Sequence, residues 1–205
     1  MVFKLAIIIG TRPEIIRLSQ VINKARQLFD VTLIHTGQNY DYNLNQVFFD
    51  DLNIKEPEIY LDCSREHLGA TVGDIISKTY KIFSETKPDA ILVDGDTNSC
   101  LSVYSAKRLK IPIFHFEAGH RCFDLNLPEE INRRLVDHLA DVNICYTEHA
   151  RRNLLDENCL PNPSRLPLLK CPRKTVVPLS SFKMDPTPCK RLTFQSPEYH
   201  LRKLF

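Results

Sequence analysis

Strands and helices alternate along the first 156 residues, as two different spacings of apolar residues indicate. Short runs of consecutive apolar residues, such as Lys4–Ile9, are typical of strands that are buried on both faces. Apolar residues three or four positions apart predict amphipathic helices between these runs. The predicted strands are 4–9, 31–35, 59–61, 90–93, 111–116 and 142–145. The predicted helices are 13–28, 42–52, 66–86, 99–108, 128–140 and 147–155.

This order of elements predicts an α/β fold in which helices cover both faces of a parallel sheet. In such sheets, ligands bind in a crevice beyond the carboxyl ends of the strands, near the point where the strand order reverses. If the chain is an enzyme domain, the residues that directly follow each strand are therefore expected to carry the chemistry.

Composition changes abruptly near residue 160 of the 205-residue chain. Residues 1–160 carry 18 Lys and Arg against 23 Asp and Glu, whereas residues 161–205 carry 9 against 2. All six glycines lie at or before Gly119, and eight of the thirteen prolines lie at or after Pro161. These changes predict a domain at 1–156 and a different segment at 157–205, which is expected to be poorly ordered.

Several classes of protein and site do not fit the sequence. No apolar run approaches the roughly 20 residues that span a bilayer, so we expect no membrane segment and a cytoplasmic location. The basic tail lacks interleaved aromatic residues, which argues against nucleic acid binding. No metal site is expected, because the cysteines form no CxxC pair and no Cys/His cluster. They are Cys63, Cys100, Cys122, Cys145, Cys159, Cys171 and Cys189.

The first predicted strand runs into Gly10-Thr11-Arg12-Pro13-Glu14, followed by Arg17. A helix that starts here presents free N–H groups, which suit phosphate, and Arg12 could add a bidentate contact. Arg17 follows Arg12 by five residues, a spacing that does not by itself place both on one face of the helix. An ordinary helix cap with solvated arginines explains the same residues equally well. The pattern is neither GxGxxG nor a P-loop, so dinucleotide and ATP sites are poorly supported.

Carboxylates follow two further strands. Asp96 follows strand 90–93 after Gly95, which permits a sharp turn, although Asp96 could merely cap the next helix. Glu117 follows strand 111–116 and precedes small residues that would let a ligand approach. A buried carboxylate needs a partner, and Arg121 is the candidate, in which case the two could form a purely structural pair.

A third carboxylate, Glu129, lies four residues before Arg133 on helix 128–140, and taken alone this is more often a structural ion pair. His35 ends the second strand and is expected to line the same cleft. Carboxylates suit proton transfer and arginines suit a pyrophosphate. The residues together therefore indicate a phosphorylated small molecule that undergoes acid–base chemistry.

Five stretches together resemble the non-hydrolysing UDP-N-acetylglucosamine 2-epimerase family, in the order and spacing of that family. They are GTRPEIIR at 10–17, HTGQNYDYNLNQVFF at 35–49, GDTN at 95–98, FEAGHR at 116–121 and PEEINRRLVDH at 128–138. The resemblance covers nearly all of residues 4–156. It implies that this region is the N-terminal Rossmann-like half of a GT-B-type two-domain fold.

The resemblance also implies a reaction. Members of the family invert C2 of a UDP-N-acetyl sugar by eliminating UDP and adding it back, without a nicotinamide or metal cofactor. By motif, the catalytic carboxylates would be Asp96, Glu117 and Glu129. The ligand-binding residues would be Arg12, Arg17, Arg133, Gly10, His35 and Arg121. The expected partner is a UDP-sugar substrate, and homodimers are common in the family.

Residues 35–49 and 121–124 are most similar to the capsule and O-antigen branch, which forms UDP-N-acetyl-L-fucosamine from a 6-deoxy-talose sugar. The alternative substrate pair is UDP-N-acetylglucosamine and UDP-N-acetylmannosamine. Two positions depart from the family pattern, which commonly has lysine at Arg17 and asparagine at His120. Arginine keeps the positive charge of lysine but changes the contact geometry.

After Leu155 the resemblance stops. The family would continue through a strand and a Gly-Ser/Asn-Pro turn into a second domain, whereas this chain becomes ENCLPNPSRLPLLK. We hypothesise that the tail is a shifted reading frame or is unrelated to the family, and that the chain is a truncated epimerase with little activity by itself. The alternative is a non-catalytic remnant or weak UDP-sugar binder. A glycosyltransferase would share the fold, but the motif set argues against it.

Overall fold

The structure is a computed structural model that describes residues 2–37 and 42–159, together with four short strands further along. The strands up to residue 159 are β1 Lys4–Ile9, β2 Asp30–His35, β3 Ile59–Tyr60, β4 Ala90–Asp94, β5 Ile113–Phe116 and β6 Val142–Cys145. The helices are α1 Arg12–Leu28, α2 Tyr42–Asp51, α3 Leu68–Thr86, α4 Val103–Arg108, α5 Pro128–Leu139 and α6 Glu148–Asp156. The predicted alternation of strands and helices is therefore confirmed.

The sheet is parallel, and its strand order is β3-β2-β1-β4-β5-β6. From β1 the chain proceeds outward through β2 to β3, and then crosses back to place β4 on the other side of β1. The strand order thus reverses between β1 and β4, and the crevice at their carboxyl ends is where an open α/β sheet binds its ligand.

Strand β1 lies at the centre and is buried on both faces. Ala6 and Ile8 belong to a core cluster with residues of α3, α4 and α5, whereas Leu5, Ile7 and Ile9 belong to a second cluster with α1 and α2. Side chains alternate between the faces of a strand, so a continuous apolar run fills both cores. Burying each isoleucine contributes about 1.5–3 kcal/mol.

One predicted helix is divided in the structure, and the boundaries of the others differ from the prediction by one or two residues. Region 99–108, predicted as a single helix, is a 3-10 helix at Asn98–Ser102 followed by α4. Within the 3-10 helix, the hydroxyl of Ser99 donates to the buried carboxylate of Glu14 on α1 at 2.6 Å. The predicted Thr147 cap is confirmed, since its hydroxyl accepts a hydrogen bond from the Ala150 amide at 3.1 Å.

Most of segment 157–205 lies outside the described residues, so the predicted boundary and the expected poor order stay predictions. Within it, β7 Val176–Pro178 pairs in parallel with β6 and extends the sheet. Strands β8 Phe182–Lys183, β9 Thr193–Ser196 and β10 Tyr199–Leu201 form a separate antiparallel sheet. No helix within the described residues combines the length and apolarity that a membrane span requires.

A buried histidine ties β5 to its neighbours. His115 is fully buried; its Nδ1 lies 2.9 Å from Asp137 Oδ1 on α5, and its Nε2 lies 2.8 Å from the Gly95 carbonyl oxygen. Burial alone lowers the pKa of His115, but Asp137, the Gly95 carbonyl and Asp94 outweigh it and raise that pKa. Both ring nitrogens face acceptors, so the protonated imidazolium, which donates at both, fits this position.

Gly119, in the loop after β5, requires the absence of a side chain. Its φ is +83°, and a Cβ there would lie 2.2 Å from the carbonyl oxygen of Ala150 on α6. We expect Gly119→Ala to lower the free energy of unfolding by about 3 kcal/mol or more, measured by urea denaturation. Gly73→Ala is the control, because a Cβ within α3 meets no atom within 4 Å. That variant should gain about 1 kcal/mol. Wild-type stability in Gly119→Ala would contradict the packing of this loop on α6.

The His115 contacts predict a pH-dependent stability. A histidine whose pKa is raised in the folded state stabilises most below its ordinary pKa of 6.5, and this contribution is lost as pH rises through the folded pKa. The difference in unfolding free energy between wild type and His115→Gln should therefore shrink from pH 6 to pH 9, by at most about 1.4 kcal/mol per pH unit. The exposed His149→Gln is the control. A difference that is constant with pH would show that His115 is held neutral.

Candidate active site

The chemistry-bearing residues gather at the carboxyl ends of β1, β4 and β5, as the sequence predicts. The turn after β1 carries Gly10 and leads into α1, β4 leads into Asp96, and β5 leads directly into Glu117. These strands are neighbours in the sheet. The α5 helix adds Arg133, which reaches the β4 loop. Side chains from four separate elements thus meet around the crevice between β1 and β4.

A buried carboxylate that the sequence analysis did not single out holds two of these loops together. Glu14 is fully buried and accepts hydrogen bonds from the amides of Gly10 and Thr11 in the β1 turn. It also accepts from the hydroxyls of Thr97 and Ser99 in the β4 loop. Burial raises the pKa of Glu14, and these four hydrogen bonds oppose that rise. The contacts fix the β1 and β4 loops relative to each other.

Arg17 lies between two carboxylates. Its Nε is 3.1 Å from Asp94 Oδ2, and its Nη1 donates to Glu117 Oε2. Burial raises the pKa of Asp94 to about 6, against the charge of Arg17. The expected Glu117–Arg121 pair is wrong, because Arg17 binds Glu117 instead. Spacing along the chain could not identify this partner, since 100 residues separate the two.

A second arginine, Arg133, also joins two carboxylates. Its Nη2 donates to Asp96, and its Nη1 donates to Glu130 at 3.0 Å. The expected Glu129–Arg133 pair is therefore wrong, since Glu130 is the residue on the inner face of α5 and is fully buried. Burial raises the pKa of Glu130, but the Cys122 amide and Arg134 outweigh it and lower that pKa. Glu129 is exposed, and its predicted catalytic part stays a prediction.

Arg121 lies in a buried network next to the crevice. Its side chain has no exposed surface and binds Asp137 at 2.7 Å and Glu157 at 2.6 Å. These carboxylates raise its pKa further, against its burial. Asp137 also accepts from the Gly119 amide and faces His115, so the network braces the loop after Glu117. Whether Arg121 contacts a ligand stays a prediction.

One group of potential metal ligands occurs among the described residues. Ligand atoms of His138, Glu157 and Cys159 lie within 4.8 Å of one another. Glu157 is already bound by Arg121 and lies 3.6 Å from Arg134. Two guanidinium groups beside this carboxylate oppose the binding of a cation, so the arrangement fits a salt-bridge network better than a metal site.

The remaining predicted site residues differ in exposure. His35 is buried; burial lowers its pKa to about 4, and its Nδ1 accepts from the Gly37 amide at 3.0 Å. Residues 38–41 of the adjoining motif lie outside the described residues. Gly10 is buried, and its amide donates to Glu14. Arg12, at the first turn of α1, is exposed and makes no ion pair with any other described residue. Their parts in ligand binding stay predictions.

Sequence reasoning missed Glu14, Asp94, His115 and Glu130. Glu14 had a signal, because Thr11 and Glu14 have the spacing of a capping box, in which the glutamate bonds back to the cap amide. The sequence signal for Asp94 was weaker: it ends a strand that is buried throughout, and a buried carboxylate needs partners. His115 and Glu130 are identified only by what packs against them, which requires the folded chain.

Most of the chain matches a known protein family. Residues 22–164 match the family described as UDP-N-acetylglucosamine 2-epimerase. A curated relative is the UDP-2,3-diacetamido-2,3-dideoxy-D-glucuronate 2-epimerase of Pseudomonas aeruginosa, which is 39% identical over 158 residues. That alignment covers 75% of this chain and 44% of the relative.

Solved structures agree with the fold. A UDP-N-acetylglucosamine 2-epimerase from Rickettsia bellii is 51% identical with a TM-score of 0.73, over 77% of this chain and 42% of that one. The Methanocaldococcus jannaschii UDP-GlcNAc 2-epimerase in complex with UDP-GlcNAc and UDP is 42% identical with a TM-score of 0.73. That match covers 76% of this chain and 44% of the other.

The match is confined to part of the relatives. The chain spans 42–43% of the length of three curated relatives. Within that span, the family match and the parallel sheet with its crevice agree. The chain belongs to the UDP-N-acetylglucosamine 2-epimerase family.

Proposed function

We propose that residues 1–156 form one wall of the active site of a UDP-N-acetyl-sugar 2-epimerase, the N-terminal half of a two-domain enzyme. The observation that carries this proposal is the pairing of Glu117 with Arg17 and of Asp96 with Arg133 at one crevice. Such pairs hold ionised carboxylates in fixed orientations, which proton transfer to and from carbon requires.

The proposed reaction inverts C2 of the sugar in two stages. A carboxylate takes the C2 proton, and the electrons of that C–H bond form a double bond to C1 as the C1–O bond breaks and UDP leaves with its electron pair. UDP then adds back to C1 of the 2-acetamidoglycal, and a proton is delivered to the opposite face of C2. Proton-bearing groups are needed on both faces, and Asp96, Glu117 and Glu129 come from three different elements.

The diphosphate of the substrate needs positive charge that is not already neutralised. Arg17 and Arg133 are each shared by two carboxylates, whereas Arg12 is exposed and makes no ion pair among the described residues. Arg12 also lies at the N-terminus of α1, where the helix dipole favours an anion. We therefore assign the main diphosphate contact of this domain to Arg12.

The region that matches the curated relatives corresponds to 42–43% of their length, so the other wall of the site would come from the part of such an enzyme that lies beyond this region. A half-site cannot exclude water or hold the pyrophosphate from both sides, and both effects contribute to catalysis. The second candidate function, a weak UDP-sugar binder without turnover, is favoured by the same observation. The proposed substrates are UDP-GlcNAc with UDP-ManNAc, or the 6-deoxy-talosamine and fucosamine pair used for capsule or O-antigen.

Turnover tests the half-site proposal. The 205-residue chain should epimerise UDP-GlcNAc at least about 1,000-fold more slowly than the M. jannaschii relative, because pre-organised positioning can account for that much of the rate. A coupled assay of UDP-ManNAc formation, repeated with the deoxy-sugar pair, measures this. Turnover near that of the relative would overturn the half-site proposal.

A measurement of UDP affinity distinguishes a chain that binds UDP weakly from one that does not bind it. Calorimetry with UDP should give weak binding, and Arg12→Ala should weaken it about tenfold or more, since a charge-assisted contact is lost. Lys24→Ala removes the same charge from the solvent-facing part of α1 and is the control. Equal effects of the two substitutions would contradict the assignment of Arg12.

A further inference from the structure

The guanidinium of Arg17 makes contacts in two directions that a lysine could not reproduce. Its Nε faces Asp94 at the end of β4, and its Nη1 faces Glu117 after β5. The donors of a guanidinium are fixed in one plane, so two contacts made from different nitrogens set the orientation of the group. The position of Glu117 is thereby coupled to the position of Asp94.

Asp94 is itself firmly held. Its side chain has no exposed surface, and its Oδ1 accepts a hydrogen bond from the Tyr146 hydroxyl at 3.1 Å. Tyr146 follows β6, so Asp94 is anchored from the far side of β5. Gly95 keeps the space open, since a Cβ there would lie 3.1 Å from Glu117 Oε2 and 3.4 Å from Arg17 Nη2.

We propose that Asp94 is a positioning residue that orients Arg17, and through it holds Glu117 in the orientation needed to exchange a proton with the sugar. The last step rests on the proposed function. The arginine at position 17, where the family commonly has lysine, allows this coupling, because a single ammonium cannot fix both carboxylates in one plane.

The ionised form of Asp94 does not stabilise the fold, so its presence in the crevice is not explained by stability. Burial raises its pKa to about 6, the charge of Arg17 opposes this, Glu117 and Glu14 raise it further, and the Tyr146 hydrogen bond lowers it. A carboxyl whose pKa is raised on folding destabilises the fold as pH rises from its ordinary value of 3.8 to about 6. Ionised Asp94 is therefore a cost to stability at neutral pH, and Asp94→Asn should unfold at a temperature no lower than wild type at pH 7.5.

The coupling is tested by NMR on the 205-residue chain, with the Arg17 Nε–H and the Glu117 carboxyl carbon as probes. Asp94→Asn and Arg17→Lys should each shift the Glu117 carbon resonance, and the double variant should shift it no further than Arg17→Lys alone. Asp94→Asn should also shift the Arg17 Nε resonance, because it removes the negative charge that lies 3.1 Å from this nitrogen. An unchanged Glu117 resonance in Asp94→Asn would overturn the coupling.

Two controls match the variants in chemistry. Asp141 is a buried carboxylate paired with Lys107 at the amino ends of the strands, so Asp141→Asn removes an equivalent charge away from the crevice. Arg26 binds both oxygens of Glu58 through its two terminal nitrogens, so Arg26→Lys repeats the arginine-to-lysine change elsewhere. Neither should move the Glu117 resonance, and a shift of equal size in either would also overturn the coupling.

Ligand binding tests the positioning role itself. We expect Asp94→Asn to reduce the affinity for UDP-GlcNAc relative to UDP by about threefold or more in calorimetry, while the affinity for UDP alone changes by less than about twofold. An unchanged ratio would overturn the positioning role. If the wild-type chain binds neither ligand, the proposed function fails, and with it the sugar-directed role, while the NMR result still decides whether Asp94 orients Glu117.

Discussion

The carboxylate of Glu14 holds together the two loops between which the crevice is built. It is fully buried, and it receives two amide donors from the β1 turn and two hydroxyl donors from the β4 loop. An isolated buried carboxylate costs several kcal/mol, so these donors must all be in place when the chain is folded. The requirement fixes Thr97 and Ser99, and it thereby fixes the loop that presents Asp96.

Charge in the crevice follows one repeated arrangement, in which an arginine is shared by two carboxylates. Arg17 joins Asp94 and Glu117, and Arg133 joins Asp96 and Glu130. Each trio carries a formal charge of −1 when its members are ionised. The two trios therefore hold their side chains in fixed orientations but do not attract a negatively charged diphosphate. The positive potential that a diphosphate needs comes instead from Arg12 and the N-terminus of α1. Under the proposed function, this domain would hold several acid–base groups in fixed orientations and would depend on other protein surface for affinity.

The sequence predicted the fold well because its signals are local. Apolar runs and helical spacing determine where β1, β4 and β5 lie, and the order of the elements determines which strand ends meet. The sequence also predicted that four side chains would lie at one edge of the sheet: Asp96, Arg133, Glu117 and Arg17. The pairing among them was not predictable, because helical spacing gives the face of a residue but not its reach to another element. Spacing favoured Glu129 as the partner of Arg133, whereas the buried neighbour Glu130 takes that place.

Glu117 shows how the backbone and the charges depend on each other. Its φ is +62°, in the left-handed region where a residue with a side chain is strained by about 1 kcal/mol or more. The surrounding structure must over-determine such a conformation. Arg17 holds the Glu117 carboxylate, and Asp137 holds the Gly119 amide two residues later. Because His115 and Arg121 in turn orient Asp137, the strained backbone is fixed from both sides. Glycine would relieve the strain at this position but would remove the carboxylate. The contact between this carboxylate and Arg17 therefore explains why a residue with a side chain occupies a left-handed backbone position.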